Sequence, residues 1–230
     1  LWNSAPASAT APANVVVGQP DFTTRVAGCN ATSLSSPEDV VLAGGKLIVA
    51  DTGNSRILVW NTVPSAAGVA PDLVLGQSDL THCAADDDVQ AGSEGDAPTA
   101  RTLAYPSGVW SDGTRLVVAD TENSRVLVWN TFPTSSFAPA DLVLGQVDAT
   151  HADASVGATS MSYPHHVDSN GNQLFVADEG NHRVLVWNTF PIANSAPDVV
   201  LGQSDAVHGT RNDDEQNGAS DSVPGARTLF

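Results

Sequence analysis

The chain has 230 residues, 41% of them apolar, enough to bury a core as one domain or as a piece of a larger one. Charge is one-sided, 26 acidic residues against 9 basic and a formal net charge of −17, which repels nucleic-acid phosphates and anionic membrane surfaces and favours divalent cations or basic partners. No apolar run approaches the roughly 20 residues that span a bilayer, and no basic-then-apolar leader opens the chain. It therefore reads as a soluble protein, already processed if exported, with no nucleic-acid partner and no membrane insertion.

Residues 1–19 open with Leu-Trp-Asn, close on Gly18-Gln19, and read as the outer strand of a preceding unit. A loop with Cys29 and the sequon Asn30-Ala31-Thr32 follows. Pro37 then introduces four short runs, at about 39–43, 46–50, 56–61 and 72–76, the last ending in Gly76-Gln77. Each is rich in Val, Leu, Ile and Trp and bounded by Gly, Asn, Asp or Pro, too short and too interrupted for a helix, so each is predicted as a strand. The next loop carries Cys83 and the acidic stretch Asp86, Asp87, Asp88, Glu94 and Asp96. The same order recurs from Pro106 to Gln146 and from Pro164 to Gln203, so the units span 37–77, 106–146 and 164–203, with Gly-Gln intervals of 58, 69 and 57 residues. Residues 204–230 repeat the inter-unit loop, with Asp213, Asp214 and Glu215, and their "GARTLF" matches the "TARTLAYP" that leads into the second unit.

Runs such as "RILVW" are apolar at consecutive positions rather than alternating, so both of their faces must be covered. A four-stranded antiparallel sheet buried on both faces and repeated in tandem is the blade of a β-propeller. The predicted fold is all-β: one propeller over 1–230, with three complete four-stranded antiparallel blades and partial ends. Three blades do not shut a ring, and open blade faces would expose more apolar surface than a monomer tolerates. The expectation is part of a larger propeller, with closure by other copies of the chain as the alternative.

The segments "VADTGNSRILVWN", "VADTENSRVLVWN" and "VADEGNHRVLVWN", each preceded by Pro-x-x-Val and a Gly turn, resemble the NHL repeat. That resemblance implies a propeller, commonly of six blades. Similar propellers include peptide-amidating lyases and lactonase-like hydrolases that hold a divalent ion at the channel. The period here is longer than in the ordinary repeat, with extra residues after each Gly-Gln. By strand order these connect the outermost strand of one blade to the innermost strand of the next, on the face that carries the "DTGNSR" turns.

Asp51 and Arg56, Asp120 and Arg125, and Asp178 and Arg183 flank the same tight turn in each unit and are expected to pair as scaffold. Trp2, Trp60, Trp129 and Trp187 read as inter-blade packing, and Trp110, unmatched in the other units, as core. Function in a repeat fold is expected where the copies disagree. The first disagreement is Glu38-Asp39, Ser107-Gly108 and His165-His166, at the start of the innermost strand, where side chains from different blades converge on the channel mouth. Glu38, Asp39, His165 and His166 are candidate ligands for Ca²⁺, Zn²⁺ or another divalent ion. Because neighbours on a strand point oppositely, at most one of each pair is expected to face the axis. The second disagreement is in the acidic loops, where Asp86, Asp87, Asp88, Asp213 and Asp214 are weak Ca²⁺ candidates whose spacing does not match an EF-hand, the alternative being a solvated acidic face. Cys29 and Cys83 fall in matching loops and are either a disulfide or two separate thiols.

No nucleophile elbow, phosphate-cradling loop or His-Glu-x-x-His motif is present in the sequence. Two functions follow as expectations. The first is an exported or cell-surface bacterial module, without a certain cofactor, that presents its acidic loop face to a protein or glycan partner and can self-associate in an assembly. The second is a divalent-metal-dependent lyase or lactonase-like hydrolase with its site at the channel. Near-absence of Lys, with Lys46 alone, and a single Met support export as a compositional hint.

Overall fold

The computed structural model describes residues 1–2, 4–213, 215–220, 225 and 228. Twelve strands form three separate antiparallel sheets among these residues, each in simple chain order. The first contains β1 (Asp39–Ala43), β2 (Lys46–Asp51), β3 (Arg56–Trp60) and β4 (Leu73–Leu75). The second contains β5 (Pro106–Ser111), β6 (Leu116–Asp120), β7 (Arg125–Trp129) and β8 (Leu142–Leu144), and the third β9 (Pro164–Ser169), β10 (Leu174–Asp178), β11 (Arg183–Trp187) and β12 (Val199–Leu201). These are three propeller blades. No helix among the described residues is long and apolar enough to cross a membrane.

The consecutive apolar runs are explained by packing on both faces. Leu116, Val118 and Leu127 of the second blade join Ile48, Ala50, Ile57 and Val59 of the first in one core. Their strand neighbours Val117, Ala119, Val126 and Val128 turn to the other side and pack with Val167, Leu174, Val176 and Leu185 of the third. Strand alternation thus sends odd and even positions to different blades, so neither face can be polar.

Between the second and third strands of each blade a 3-10 turn (Thr52–Asn54, Thr121–Asn123, Glu179–Asn181) ends in a left-handed residue, Ser55, Ser124 or His182. The turn brings Asp and Arg opposite each other. Arg56 Nε donates to Asp51 Oδ2 at 2.7 Å, and the pairs Arg125 with Asp120 and Arg183 with Asp178 repeat that distance, all with fully buried side chains. A buried ion pair is tolerated when its remaining polar atoms are satisfied, and here they are. Asn54 Nδ2 and the Ser35 amide also donate to Asp51, while Arg56 donates to Leu80 O at 2.9 Å, Asn30 O at 3.1 Å and Ser33 O at 3.2 Å. Each guanidinium therefore holds both the loop entering its blade and the loop leaving it, because Arg125 reaches Ala149, Thr99 and Thr102 and Arg183 reaches Ala206, Gly157 and Ser160 in the same way.

The Gly-Gln pair has a similar duty. Gln77 Nε2 donates to Ser55 O and Ala84 O, and Gln146 and Gln203 make the equivalent bonds. Its Gly turns the chain at φ 89° (Gly76), 91° (Gly145) and 94° (Gly202), a region open to glycine. Cys29 and Cys83 are joined in a disulfide with Cα atoms 6.2 Å apart, linking the two loops that Arg56 also holds.

Two expectations are corrected. No strand forms among the described residues of 1–29. Instead the amides of Asn14 and Val15 donate to Leu1 O, and Trp2 Nε1 donates to Ala11 O as Trp60 Nε1 does to Val69 O. Trp2 is 52% exposed, whereas Trp60, Trp129 and Trp187 are buried, because only these three lie in a sheet covered by its neighbours.

Candidate functional site

The innermost strands β1, β5 and β9 lie side by side, and their first residues gather at one end. There the structure brings together all four side chains singled out by repeat comparison. His165 Nε2 lies 3.3 Å from Glu38 Oε2, and His166 Nδ1 lies 3.5 Å from Asp39 Oδ2. Both pairs therefore reach from the third blade to the first, across the second. The imidazoles are half or more exposed, Glu38 is 41% exposed and Asp39 22%, so a ligand has access to all four.

That both histidines take part corrects the expectation of one per pair. In β9 the register with β10 slips, Pro164 facing Asp178 and His166 facing Ala177, so His165 is an extra residue in a β-bulge. A bulge breaks strict alternation and re-aims a side chain. β5 has the same slip between Pro106 and Gly108.

The close approach depends on what the second blade does not carry. A Cβ at Gly108 would lie 2.8 Å from both His165 O and His166 Cα, so only glycine admits β9 at this depth. Ser107 Oγ donates to His165 O at 2.7 Å and Thr121 Oγ1 to Pro164 O at 2.9 Å, fixing the bulge. On the other side the Val109 amide donates to Asp39 Oδ2 at 2.9 Å and the Val40 amide to Asp39 Oδ1 at 2.8 Å. Asp39 is thereby oriented by both oxygens, and Glu38 is the freer acid.

The acidic loops are organised inward. Asp87 is buried and accepts from the amides of Ala91 and Gly92; Asp213 accepts from those of Asn217 and Gly218 in the same arrangement. Asp88 pairs with Arg101 through both carboxylate oxygens, at 2.9 and 2.8 Å. Asp86 accepts from Thr102 Oγ1 and Asn123 Nδ2, and burial, with the nearby Asp120 carboxylate, pushes its carboxyl above the ordinary range. Asp214 lies outside the described residues. Among the described residues no group of three or more His, Cys, Asp and Glu side chains is arranged to hold a metal ion. At the mouth, Asp39 has each oxygen engaged by one backbone amide, which fixes the direction of that carboxylate.

Other features escaped the sequence reading. Asp79, Asp148 and Asp205 each accept from the His three residues on, His82, His151 and His208, at 2.9, 2.7 and 2.7 Å. The signal was the recurrent Asp-x-x-His after Gly-Gln. Trp110 is half-buried, 6.2 Å from the Phe190 ring, with the Arg115 guanidinium over both, which makes it a joint between second and third blades.

Comparison with known proteins agrees with the architecture. The NHL repeat family model matches residues 34–60 and 161–187, the first and third blades up to the end of their third strands. The fold is thus a β-propeller of four-stranded antiparallel blades. The chain carries NHL repeats in its first and third blades. A search of curated proteins gave no match. Among solved structures, a candidate 6-phosphogluconolactonase from Bacteroides uniformis is similar at 14% identity and a TM-score of 0.41, covering 70% of this chain and 40% of that one. The chain thus spans less than half the length of that structure.

Proposed function

We propose that the chain is a binding module, secreted or held at a bacterial cell surface, that presents its acidic loop face and inner-strand mouth to a protein or glycan partner. The observation that carries this reading is a division among the charges. The Asp–Arg pairs repeated in every blade are buried and spent on the scaffold, whereas Glu38, Asp39, His165 and His166 occur once, are accessible, and meet from two non-adjacent blades. Exposed polar groups that converge without a structural requirement are what a recognition surface needs.

The test is a screen of the immobilised protein against peptide and glycan arrays, with each binder remeasured on Glu38→Gln/His165→Gln. Loss of about tenfold in affinity, roughly 1.4 kcal/mol, supports the reading; an array with no binder, or binders indifferent to the mouth, overturns it. The second reading, a metal-dependent lyase or lactonase-like hydrolase, draws on the nitrogen and oxygen donors that meet at the same place. Equilibrium dialysis against Zn²⁺ and Ca²⁺ separates the two. The binding module is expected to retain no stoichiometric metal, and metal retained by the native protein but lost on His166→Ala would favour the enzyme.

A further inference from the structure

We infer that the partner is an uncharged glycan whose sugars stack on Tyr105 and Tyr163. This rests on the binding reading above and names its ligand. The chain has two tyrosines, and both stand at the same place in the repeat, before the Pro that opens an innermost strand. They are 41% and 43% exposed, although each lies at a junction with a blade on either side, Tyr105 between the first and second and Tyr163 between the second and third. Their exposure is therefore a property of that face and not of an uncovered blade. The scaffold asks for the backbone here and not for the ring. Both tyrosines have φ 49°, a left-handed conformation uncommon for a bulky residue, and their amides donate to hydroxyls of the preceding blade, Ser55 Oγ at 3.3 Å and Ser124 Oγ at 3.4 Å. The first unit has Ser36 at this place, with φ 46°, so the same turn forms without an aromatic side chain.

The surroundings of the rings select the chemistry of the ligand. The Tyr105 hydroxyl lies 3.5 Å from Glu94 Oε1, which belongs to the acidic loop. The Glu122 amide donates to Ala104 O, setting a second exposed acid on the turn beside that tyrosine. Tyr163 stands two residues before His165 and so leads into the mouth. A pyranose has a face of C–H groups, which packs against an aromatic ring, and a rim of hydroxyls, which donate to carboxylate oxygens. Rings with acids at their edges offer both. The same acids, on a chain of net charge −17, repel uronic and sulfated sugars as they repel nucleic acid. Equivalent rings on consecutive blades, each tied to the blade before it, suit a ligand that itself repeats, as a linear oligosaccharide does.

With two tyrosines in the chain, fluorotyrosine labelling gives one ¹⁹F signal per ring. The 230-residue protein is titrated with neutral hexasaccharides of glucose, mannose, xylose and N-acetylglucosamine, and with hexagalacturonate and tetralysine as charged controls. At least one neutral hexasaccharide should move both signals to saturation, and hexagalacturonate should bind about tenfold more weakly. By calorimetry, Tyr105→Ser/Tyr163→Ser, which copies the first unit, should keep the native unfolding curve and lose about tenfold in affinity, while Tyr105→Phe/Tyr163→Phe stays within about twofold of the native chain. The fluorine signals of the native protein keep the inference falsifiable should the serine variant fold poorly. Neutral hexasaccharides that leave both signals unmoved, a folded serine variant that binds as the native chain does, or rings that respond to tetralysine and to no sugar, overturn it. If array binders depend on Glu38 and His165 yet leave both fluorine signals in place, the binding reading stands and the glycan platform falls. A hexasaccharide that moves both signals and binds Glu38→Gln/His165→Gln unchanged supports the platform and removes the mouth from recognition.

Discussion

Gly108 is the residue on which the mouth depends. A methyl group there meets β9 backbone at 2.8 Å, and backbone does not swing aside as a side-chain tip would. Gly108→Ala is expected to cost about 1–3 kcal/mol, as overpacking does, and to separate both acid–imidazole pairs. Urea unfolding checks the first effect, and loss of the mouth pairs in histidine ¹⁵N spectra the second. Asp86 offers the opposite case. Its folded-state carboxyl is raised by burial and by Asp120, so the folded protein holds this proton more tightly than the unfolded chain. Ionisation therefore lowers stability, by an amount absent below the unfolded value and growing as pH rises through the folded one. Asp86→Asn keeps the acceptor for Thr102 and Asn123, and the last loop has Asn212 at the corresponding place. The variant should be more stable than the native chain at neutral pH and no more stable in acid, in paired urea titrations. Asp148 shifts the other way: its Thr150 and His151 bonds hold the carboxyl at about 2. It favours folding above the ordinary carboxylate value, and that contribution is lost as pH falls through about 2. Thr150→Ala should move its NMR titration midpoint upward; an unmoved midpoint would discount the hydroxyl.

At the scale of elements, the strands were legible because apolar runs and turn residues alternate so regularly. The run predicted at 39–43 is β1 residue for residue, and the Asp-to-Arg spacing already placed both partners across one hairpin turn. What sequence could not supply was register detail. A bulge is one residue of slip between two strands, and nothing in "PHHV" distinguishes it from regular pairing, so the second histidine of the mouth was lost to strict alternation. Nor did the letters reveal that Asn54 and Asn181, the Gln of each Gly-Gln and the three Arg side chains close on backbone carbonyls, since such partners carry no residue signature. The disulfide illustrates this redundancy. Closing a loop with its ends 54 residues apart in sequence is worth about 4 kcal/mol in the chain-entropy account. Because Arg56 holds the same two loops, Cys29→Ser/Cys83→Ser should lower stability by about 2–4 kcal/mol yet keep the native far-UV spectrum and protection of β2 and β3 in hydrogen exchange.

For the molecule as a whole, 26 acidic residues against 9 basic leave a surface whose charges repel one another, while the strongest ion pairs are buried beyond the reach of salt. Raising ionic strength from about 0.01 M to about 1 M shortens the screening distance roughly tenfold. The melting temperature should therefore rise with sodium chloride, and a fall would mean that exposed pairs such as Arg101 with Asp88 dominate instead. The arginine contacts have a further consequence. In successive blades the carbonyl met beyond each Arg lies 24, 24 and 23 residues away, and the farther carbonyl before it 26, 26 and 26. All but one residue of the uneven spacing of the repeats accordingly falls in stretches between consecutive clamps, such as the one from Leu80 to Thr99, where most of the acidic insertion lies. Foreign sequence spliced into that stretch would be carried as cargo on a chassis whose tolerances are already met.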